Sequence, residues 1–277
     1  MGKNFELREV ENKVKRKSNK YDDLIKIFNI KDKEQYSNLS LENFLENIML
    51  GPVKSDFTPR TVKGISNMKD EFTSLLKETG KTIFKFINNE SIQEPDFDKW
   101  HNETCKNFVN EFNHFANSKN VYTISYGKAQ KVVNMTFKYL FCWDANQKFG
   151  NIYPLCHIPI DSFILRWCNK LETIKTRVST SIANIDEISW SNLDYKDYYN
   201  IQKAVKEYLE SDENTILPKE RIFAEFYIWP NIMVYDCVNN FKNTIYKNNQ
   251  IVHSLSDKLI DELSKIQKDI ETILNIK

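Results

Sequence analysis

Two stretches near the middle of the chain decide its fold: Ser125-Tyr-Gly-Lys-Ala-Gln-Lys-Val-Val-Asn134 and His157-Ile-Pro-Ile-Asp-Ser-Phe-Ile-Leu-Arg-Trp-Cys-Asn-Lys170. The first has a glycine just ahead of a strongly helical run that carries lysines. In the second, Pro159 fixes the approach of the chain, and an aspartate stands where an apolar helical stripe begins. We therefore predict that residues 122–171 contain two helices that carry the chemistry of the protein.

Composition predicts an all-α protein. The 277 residues are 41% hydrophobic and 13% aromatic, with only 6 Gly and 7 Pro, which is typical of a globular chain of long helices. We predict a single helical domain over residues 1–277, with two lobes, a cleft between them and a terminal amphipathic helix. Residues 1–36 include the run Lys13-Val-Lys-Arg-Lys17 and are predicted to form a mobile basic arm or a surface helix.

Local signals set the predicted helix boundaries. Ser40 is an N-cap signal, and the helix that it starts is predicted to end at Gly51-Pro52, before a turn at residues 56–60. Residues 62–88 are predicted to form one helix, or two with a break at Gly80, and a further break is predicted at Pro230. Apolar residues then recur from Leu255 to Ile273 with a period near 3.5, which predicts a terminal helix packed on the body or, as the alternative, a dimer seam.

The distribution of charge is more informative than its total. The formal net charge is +1, which does not fit a strongly basic, histone-like binder. The segment from Lys119 to Lys170, however, contains seven basic residues and only two acidic ones. Such a segment indicates one anion-facing surface. The alternative is a charged face whose basic groups pair with acidic neighbours.

The sequence lacks the motifs that indicate several classes of function. The five cysteines are widely spaced and contain no C-x-x-C pair, so we predict neither a metal site nor an iron–sulfur cluster. There is no glycine-rich nucleotide loop, and no histidine follows an arginine at the spacing of a HEPN ribonuclease. We predict no cofactor. With no apolar run long enough for a bilayer, we also predict no membrane partner and a reducing, cytoplasmic location.

Gly127 is placed where a backbone could bind an anion. A glycine ahead of a helix allows a tight turn, and it brings the amides of Lys128 and Ala129 to the positive end of the helix dipole. A phosphate could bind there. The alternative is an ordinary turn glycine.

Charged side chains on the two helices suggest acid–base or electrostatic chemistry. Lys131, Asn134 and Lys138 share one face of the first helix, which we expect to be wet. Asp161 is an N-cap candidate for the second helix, so its carboxylate would lie at a positive helix end. Beside Lys131 it could transfer a proton or stabilise a developing cation. As the alternative it is only a cap.

Together the two stretches resemble the helix-hairpin-helix DNA glycosylases of the endonuclease III and 8-oxoguanine type. On this resemblance Gly127 corresponds to the first hairpin glycine, Lys131 to the Schiff-base lysine and Asp161 to the catalytic aspartate. The chain departs from the pattern at Ala129, which replaces the second hairpin glycine. The DNA-binding residues that the resemblance implies are Gly127, Lys128, Asn134, Lys138 and Arg166.

The function implied by the resemblance is removal of a damaged or modified base from double-stranded DNA by base flipping. Asp161 would stabilise the oxocarbenium-like sugar, and a neutral Lys131 amine would attack the sugar carbon to give lyase activity. The candidates for stacking on the base, each of which could instead be a core residue, are Trp143, Tyr153, Trp167, Trp190 and Trp229. The alternative function is that of a non-enzymatic helical interaction protein, for example a phage-encoded or host defence factor, which binds protein or nucleic acid.

Overall fold

The computed structural model describes residues 39–89, 92–144, 148–179, 188–247 and 253–276, and all regular structure within these ranges is helical. The predicted all-α class is therefore confirmed, while the predicted basic arm at residues 1–36 lies outside the described residues. The α-helices are α1 (Leu41–Phe44), α2 (Lys54–Thr61), α3 (Lys69–Ile87), α4 (Glu94–Lys119), α5 (Tyr126–Trp143), α6 (Ser162–Lys170), α7 (Glu172–Ser179), α8 (Tyr195–Glu210), α9 (Arg221–Lys247) and α10 (His253–Leu274). A π-helical stretch joins α1 to α2 (Leu45–Val53), and short 3-10 helices lie at Ile65–Met68, Tyr153–Leu155 and Trp190–Asn192.

Side-chain caps start three of these helices. The Ser40 hydroxyl accepts a hydrogen bond from the amide of Asn43, as the sequence predicts. Asp161 caps α6 by accepting from two amides of its first turn, and Asp194 caps α8 by accepting from one, that of Asp197. Each cap gives partners to helix-end amides that have none within the helix.

The predicted helix end at Gly51-Pro52 agrees with the structure, in which two helices meet at a kink at Gly51, but the predicted turn at residues 56–60 is wrong. Gly51 takes a non-helical conformation (φ −88°, ψ −107°), and the chain kinks there but continues directly into α2. Proline fits at this point because the first amides of a helical turn need no partner within the helix. Residues 56–60 therefore lie within α2.

Of the two alternatives predicted for residues 62–88, the break at Gly80 is wrong. Helix α3 runs through Gly80 without interruption, and the π-helical stretch packs directly against it. A β-carbon at this position would lie 2.5 Å from Leu45 Cδ2 and 2.8 Å from Met49 Cγ. The glycine is thus explained by the close approach of two helices.

Pro230 lies inside α9, so the predicted break between two separate helices does not occur. A proline removes one helical hydrogen bond and crowds the preceding turn. The side-chain amide of Asn231 donates to the Tyr227 carbonyl in this turn (2.7 Å), and Ile228 and Ile232 on either side are fully buried. Core packing therefore outweighs the local preference of proline to end the helix.

The buried apolar side chains form one continuous cluster that extends from Phe44 to Ile276. The predicted cleft between two lobes is not confirmed. The terminal helix α10 packs along α9 and buries Ile270 and Ile273, so the prediction that it packs on the body is confirmed. Among the residues that the structure describes, no helix has the length and apolar character needed to cross a membrane.

An extended segment, residues 156–160, passes through the core between helices α5 and α8. No strand lies beside its backbone among the described residues. Two glutamine side chains form the hydrogen bonds that a strand would otherwise supply. Gln202 on α8 donates to the Ile158 carbonyl (2.6 Å) and accepts from its amide (3.2 Å). Gln130 on α5 does the same for Ile160, at 2.7 and 3.2 Å. Buried peptide groups need such partners, and the segment delivers Asp161 to the start of α6.

Candidate functional site

Lys131 and Asp161 meet at the junction of α5 and α6, as the sequence predicts for a functional pair. Lys131 Nζ lies 3.7 Å from Asp161 Oδ2, and the two side chains retain 21% and 13% of their exposure. They are brought together because the extended segment returns the chain to the side of α5 on which Lys131 lies. This gives a half-buried ion pair between residues 30 positions apart.

The Asp161 carboxylate is held by further hydrogen bonds. Its Oδ1 accepts from the amides of Phe163 (2.9 Å) and Ile164 (3.1 Å), and its Oδ2 accepts from the Trp229 indole Nε1 (3.0 Å). Backbone amides and the helix dipole both favour negative charge at this position. The arrangement therefore fixes an anion in one orientation at the edge of the core.

Aromatic rings surround the pair. Lys131 Nζ lies 5.1 Å from the centroid of the Trp190 ring, and the Trp229 ring packs edge-on against Phe163, with centroids 5.1 Å apart. The indentation between Lys131 and α2 has a volume of about 10 Å³, enough for a single water at most. A larger ligand would require Lys131 or Trp190 to move aside.

Gly127 does not form an open anion-binding loop. Its amide donates to the Leu193 carbonyl (2.9 Å), and a β-carbon on it would come within 1.9 Å of the Trp190 carbonyl oxygen. The next amide, that of Lys128, donates to the Ser125 carbonyl (3.2 Å). The expectation that a phosphate binds here is therefore wrong, because the backbone of residues 190–193 occupies the space.

The prediction that one face of α5 is exposed to solvent is also wrong at Asn134. This side chain is fully buried and cannot contact DNA. Its amide nitrogen donates to the Gln130 side chain (2.9 Å) and to the Tyr198 hydroxyl (2.8 Å), while its oxygen lies 2.8 Å from His101 Nε2. Asn134 lies on the same side of the helix as Gln130, three residues before Phe137. This face points into the core and not toward solvent.

Three of the other six basic residues of the segment are paired with acids, which agrees in part with the alternative interpretation of the charge pattern. Lys138 Nζ lies 2.7 Å from Glu225 Oε2, and Arg166 pairs with Asp236. Lys119 likewise pairs with Glu71 at 2.8 Å. Lys128 is half-buried, and desolvation lowers its pKa. Counting Lys131 with Asp161, acids thus compensate four of the seven positive charges of the segment.

A buried chain of hydrogen bonds beside the pair was not predicted. His157 Nε2 donates to Asp98 (2.8 Å), and its Nδ1 accepts from the Tyr198 hydroxyl (2.8 Å), which in turn accepts from Asn134. Asn134 then accepts from His101. These donor and acceptor roles follow from one assignment of tautomers, in which both histidines carry their proton on Nε2.

Both histidines are held neutral. Desolvation lowers the pKa of His101 and of His157 well below the ordinary value of 6.5, and the positive charge of Arg221 contributes at His157. Because every member has a partner, the chain serves to fix helices α4, α5 and α8 relative to one another. A sequence signal did exist, since Gln130 and Asn134 continue the inward stripe of Val133 and Phe137.

The chain of hydrogen bonds reaches the surface at Asp98, in a cleft of about 630 Å³. The charged residues of this cleft are balanced, with four basic and four acidic side chains: Lys99, Lys203, Lys206, Arg221, Glu94, Asp98, Glu207 and Glu210. Several of them pair with one another, for example Arg221 with Glu94 at 3.2 Å. Such a lining indicates neither an anionic nor a cationic ligand.

Among the described side chains, no three His, Cys, Asp or Glu residues converge as metal ligands. No family model, curated protein or solved structure matches the chain. Function is therefore argued from the geometry of the residues.

Proposed function

We propose that the protein cleaves N-glycosidic bonds in nucleic acid at a site centred on Asp161. One observation carries this proposal: a fixed, buried carboxylate lies 3.7 Å from Lys131 and accepts a hydrogen bond from Trp229, while the Trp190 ring lies against Lys131. Cleavage of an N-glycosidic bond develops positive charge on the sugar, and a preorganised anion stabilises that charge. The substrate class is a base-modified strand, because a flipped base needs aromatic surfaces on which to stack.

The ion pair favours hydrolysis over the lyase reaction. A lysine attacks a sugar carbon only as a neutral amine, whereas the pair with Asp161 uses the ammonium form. In the hydrolytic reaction the C1′–N bond breaks and its electron pair leaves on the base. Water then adds its oxygen to C1′, and its proton is taken up by the released base. Asp161 stabilises the cationic sugar between these steps, and Lys131 orients the carboxylate.

The substrate would enter on the aromatic side of the pair. The indentation beside Lys131 is too small for a nucleobase, so a base must displace the Trp190 side chain from its contact with Lys131. The indole of Trp229 is fixed by its hydrogen bond to Asp161 and would stay in place. Trp190 is therefore the residue that we expect to stack on the base.

The decisive experiment measures base release from duplex and single-stranded oligonucleotides that carry oxidised, deaminated or methylated bases. We expect strand cleavage only after alkali treatment, and no covalent adduct when borohydride is present. Asp161→Asn is expected to lower the rate by about a hundredfold or more. Silence across the panel with a folded protein would contradict the proposal, and a trapped adduct would overturn its hydrolytic form.

A matched control separates catalysis from helix capping. Asp194 caps α8 through the same type of bond, accepting from the Asp197 amide at 2.8 Å, but its side chain is exposed. Asp194→Asn makes the same chemical change at a cap outside the site. We expect this variant to keep the parent rate, and an equal loss in both variants would mean that only stability had changed.

A second candidate function, protein binding, is favoured by exposed apolar side chains on α9 and α10. Met233, Val234 and Phe241 on α9 and Leu259 on α10 retain 37 to 49% of their exposure. Exposed apolar groups that lie together on a surface often mark a protein interface. The dimer that the sequence predicts through residues 255–273 would use the neighbouring face of α10.

Sedimentation velocity over a range of protein concentrations tests this second function. Self-association that Phe241→Ser abolishes would support it. The exposed residue Leu41, on α1, supplies the control variant Leu41→Ser. A monomer at every concentration, with the parent and the control alike, would exclude a second copy of the chain as the partner.

A further inference from the structure

A lysine-lined cleft is formed by residues that precede the basic segment singled out by the sequence. It occupies the bend between α2 and α3 and has a volume of about 600 Å³. Three lysines line it: Lys54 from the first turn of α2, Lys63 from the turn that follows, and Lys69 from the first turn of α3. Its size falls in the range of ordinary ligand sites.

The cleft has an apolar floor and a basic rim. Val62, Ile65 and Phe72 form the floor and are buried, whereas the side chains of Lys63 and Lys69 are exposed. Among the described residues that line the cleft, none is acidic. An apolar floor with a cationic rim fits a ligand that carries both anionic groups and planar apolar groups.

Unlike the lysines of α5, two of these lysines keep their charge available. Within the part of the chain that the structure describes, no ion pair involves Lys63 or Lys69. The nearest acid along the chain is Asp70, and Glu71 next to it already pairs with Lys119 at 2.8 Å. The cleft therefore has an uncompensated positive potential.

An exposed aromatic ring stands next to the cleft. Tyr122 retains 62% of its exposure, and Lys63 Nζ lies 5.6 Å from the centroid of its ring. The ring is held there because the Tyr122 amide donates to the Lys63 carbonyl (3.3 Å). Gly64, with φ +85°, lets the turn approach the backbone of Asn120 and Val121.

We propose that this cleft binds a single strand of nucleic acid, with phosphates on Lys63 and Lys69 and a base stacked on Tyr122. Single-strand sites combine lysines that follow the backbone with aromatic rings that accept bases. A duplex hides its bases and could not use Tyr122. The proposal does not depend on chemistry at Asp161, so Asp161→Asn should bind as the parent does.

Fluorescence anisotropy with labelled oligothymidylate about ten nucleotides long tests the proposal. With two lysine contacts, the logarithm of the binding constant should fall with the logarithm of salt concentration with a slope of about −1.4. Lys63→Glu combined with Lys69→Glu should abolish binding. Tyr122→Ala should weaken it by about five- to 150-fold and leave the salt slope unchanged.

Lys77→Glu is the matched control, since Lys77 is an exposed lysine on α3 that does not line the cleft. We expect it to bind nearly as the parent does. Equal loss in this control would overturn the proposal, because it would show a nonspecific effect of net charge. Tighter binding of a duplex of equal length, unchanged affinity in Tyr122→Ala, or no binding at low salt would each overturn it too.

Discussion

The side-chain amide of Gln202 hydrogen-bonds to both backbone polar groups of Ile158, donating to the carbonyl at 2.6 Å and accepting from the amide at 3.2 Å. A glutamine thus replaces a neighbouring strand for an extended segment inside a helical core. Because all four groups are buried, removal of the amide leaves the Ile158 amide without a partner and the Ile158 carbonyl with only a long bond of 3.4 Å from Asn134. Each unmade bond of this kind costs about 1–3 kcal/mol.

Gln202→Met should therefore lower the free energy of unfolding by about 2–5 kcal/mol. Methionine keeps the length of the side chain, so packing changes little. Chemical denaturation with urea measures the difference. Lys203→Met, at the exposed neighbouring position, should change stability by less than about 0.5 kcal/mol. Similar losses in the two variants would show that the hydrogen bonds are not responsible.

The two buried histidines should make the protein sensitive to acid. Their pKa values in the folded protein lie well below 6.5, so the unfolded chain binds more protons once the pH falls through about 6.5. Each histidine then removes up to about 1.4 kcal/mol of stability per pH unit until its folded pKa is reached. Glu225, whose pKa is raised by burial, acts in the opposite sense.

The measurement is the dependence of the unfolding free energy on pH between about pH 7 and pH 5. His157→Gln should give a shallower dependence than the parent, whatever its absolute stability. His114 is exposed, so His114→Gln should leave the dependence unchanged. The explanation fails if the His157 variant keeps the parent slope.

Gly127→Ala should destabilise the protein although alanine favours a helix. The new β-carbon would lie 1.9 Å from the Trp190 carbonyl oxygen, and a backbone atom cannot rotate away. We expect a loss of about 1–3 kcal/mol from overpacking, larger than the gain of up to about 1 kcal/mol in helix propensity. Trp190 fluorescence should shift as its segment moves.

Gly80→Ala supplies the comparison for this prediction. Its β-carbon would meet Leu45 Cδ2, the end of a side chain, and Met49 Cγ, which is also a side-chain atom and not part of the backbone. Small movements of these side chains relieve the contact, so the loss should be smaller than at Gly127. A greater loss in Gly80→Ala, measured by urea denaturation, would contradict the argument.

Lys138 should matter for stability, because its partner Glu225 is almost completely buried. Lys138→Met leaves a buried carboxylate without its counter-charge and should cost about 3–5 kcal/mol. The double variant Lys138→Met/Glu225→Leu should recover most of this loss, since an apolar pair can replace a buried ion pair. Thermal or urea unfolding of the parent, of Lys138→Met and of the double variant measures these differences in stability. A double variant that is less stable than Lys138→Met would contradict the prediction.

Capping should outweigh the ion pair at Asp161. The two cap bonds are 2.9 and 3.1 Å long, whereas the ammonium of Lys131 lies beyond hydrogen-bond distance at 3.7 Å. We expect Asp161→Ala to cost about 1–2 kcal/mol and Lys131→Met less than about 1 kcal/mol. Asp161→Asn retains an acceptor for the amides, so its loss of stability should lie between those of the other two variants. The reverse order in urea denaturation would show that charge pairing dominates.

Sequence periodicity predicted the helices well but placed their ends poorly. Caps at Ser40 and Asp161 were predictable because they depend on neighbouring residues only. The breaks expected at Gly80 and Pro230 did not occur, since contacts with distant helices outweigh local preference at both positions. A glycine that permits close packing cannot be distinguished from one that ends a helix without knowledge of its neighbour.

At the candidate site, too, some features were predicted from the sequence and others were missed. The proximity of Lys131 and Asp161 was predicted, and the structure brings them together. The burial of Asn134 was missed because it lies at the border between the polar and apolar faces of α5. The pairing of Lys138 with Glu225 joins residues 87 positions apart, a distance at which no local pattern operates.

The glutamine contacts of the extended segment also determine how the molecule can open. The amide protons of Ile158 and Ile160 are bonded to side chains of two different helices, across sequence separations of 44 and 30 residues. Neither proton can exchange with deuterium through fraying of a single helix end, because no helix holds it by its own backbone. Their exchange rates would therefore report the detachment of α8 and of α5 separately, residue by residue, in one native-state experiment.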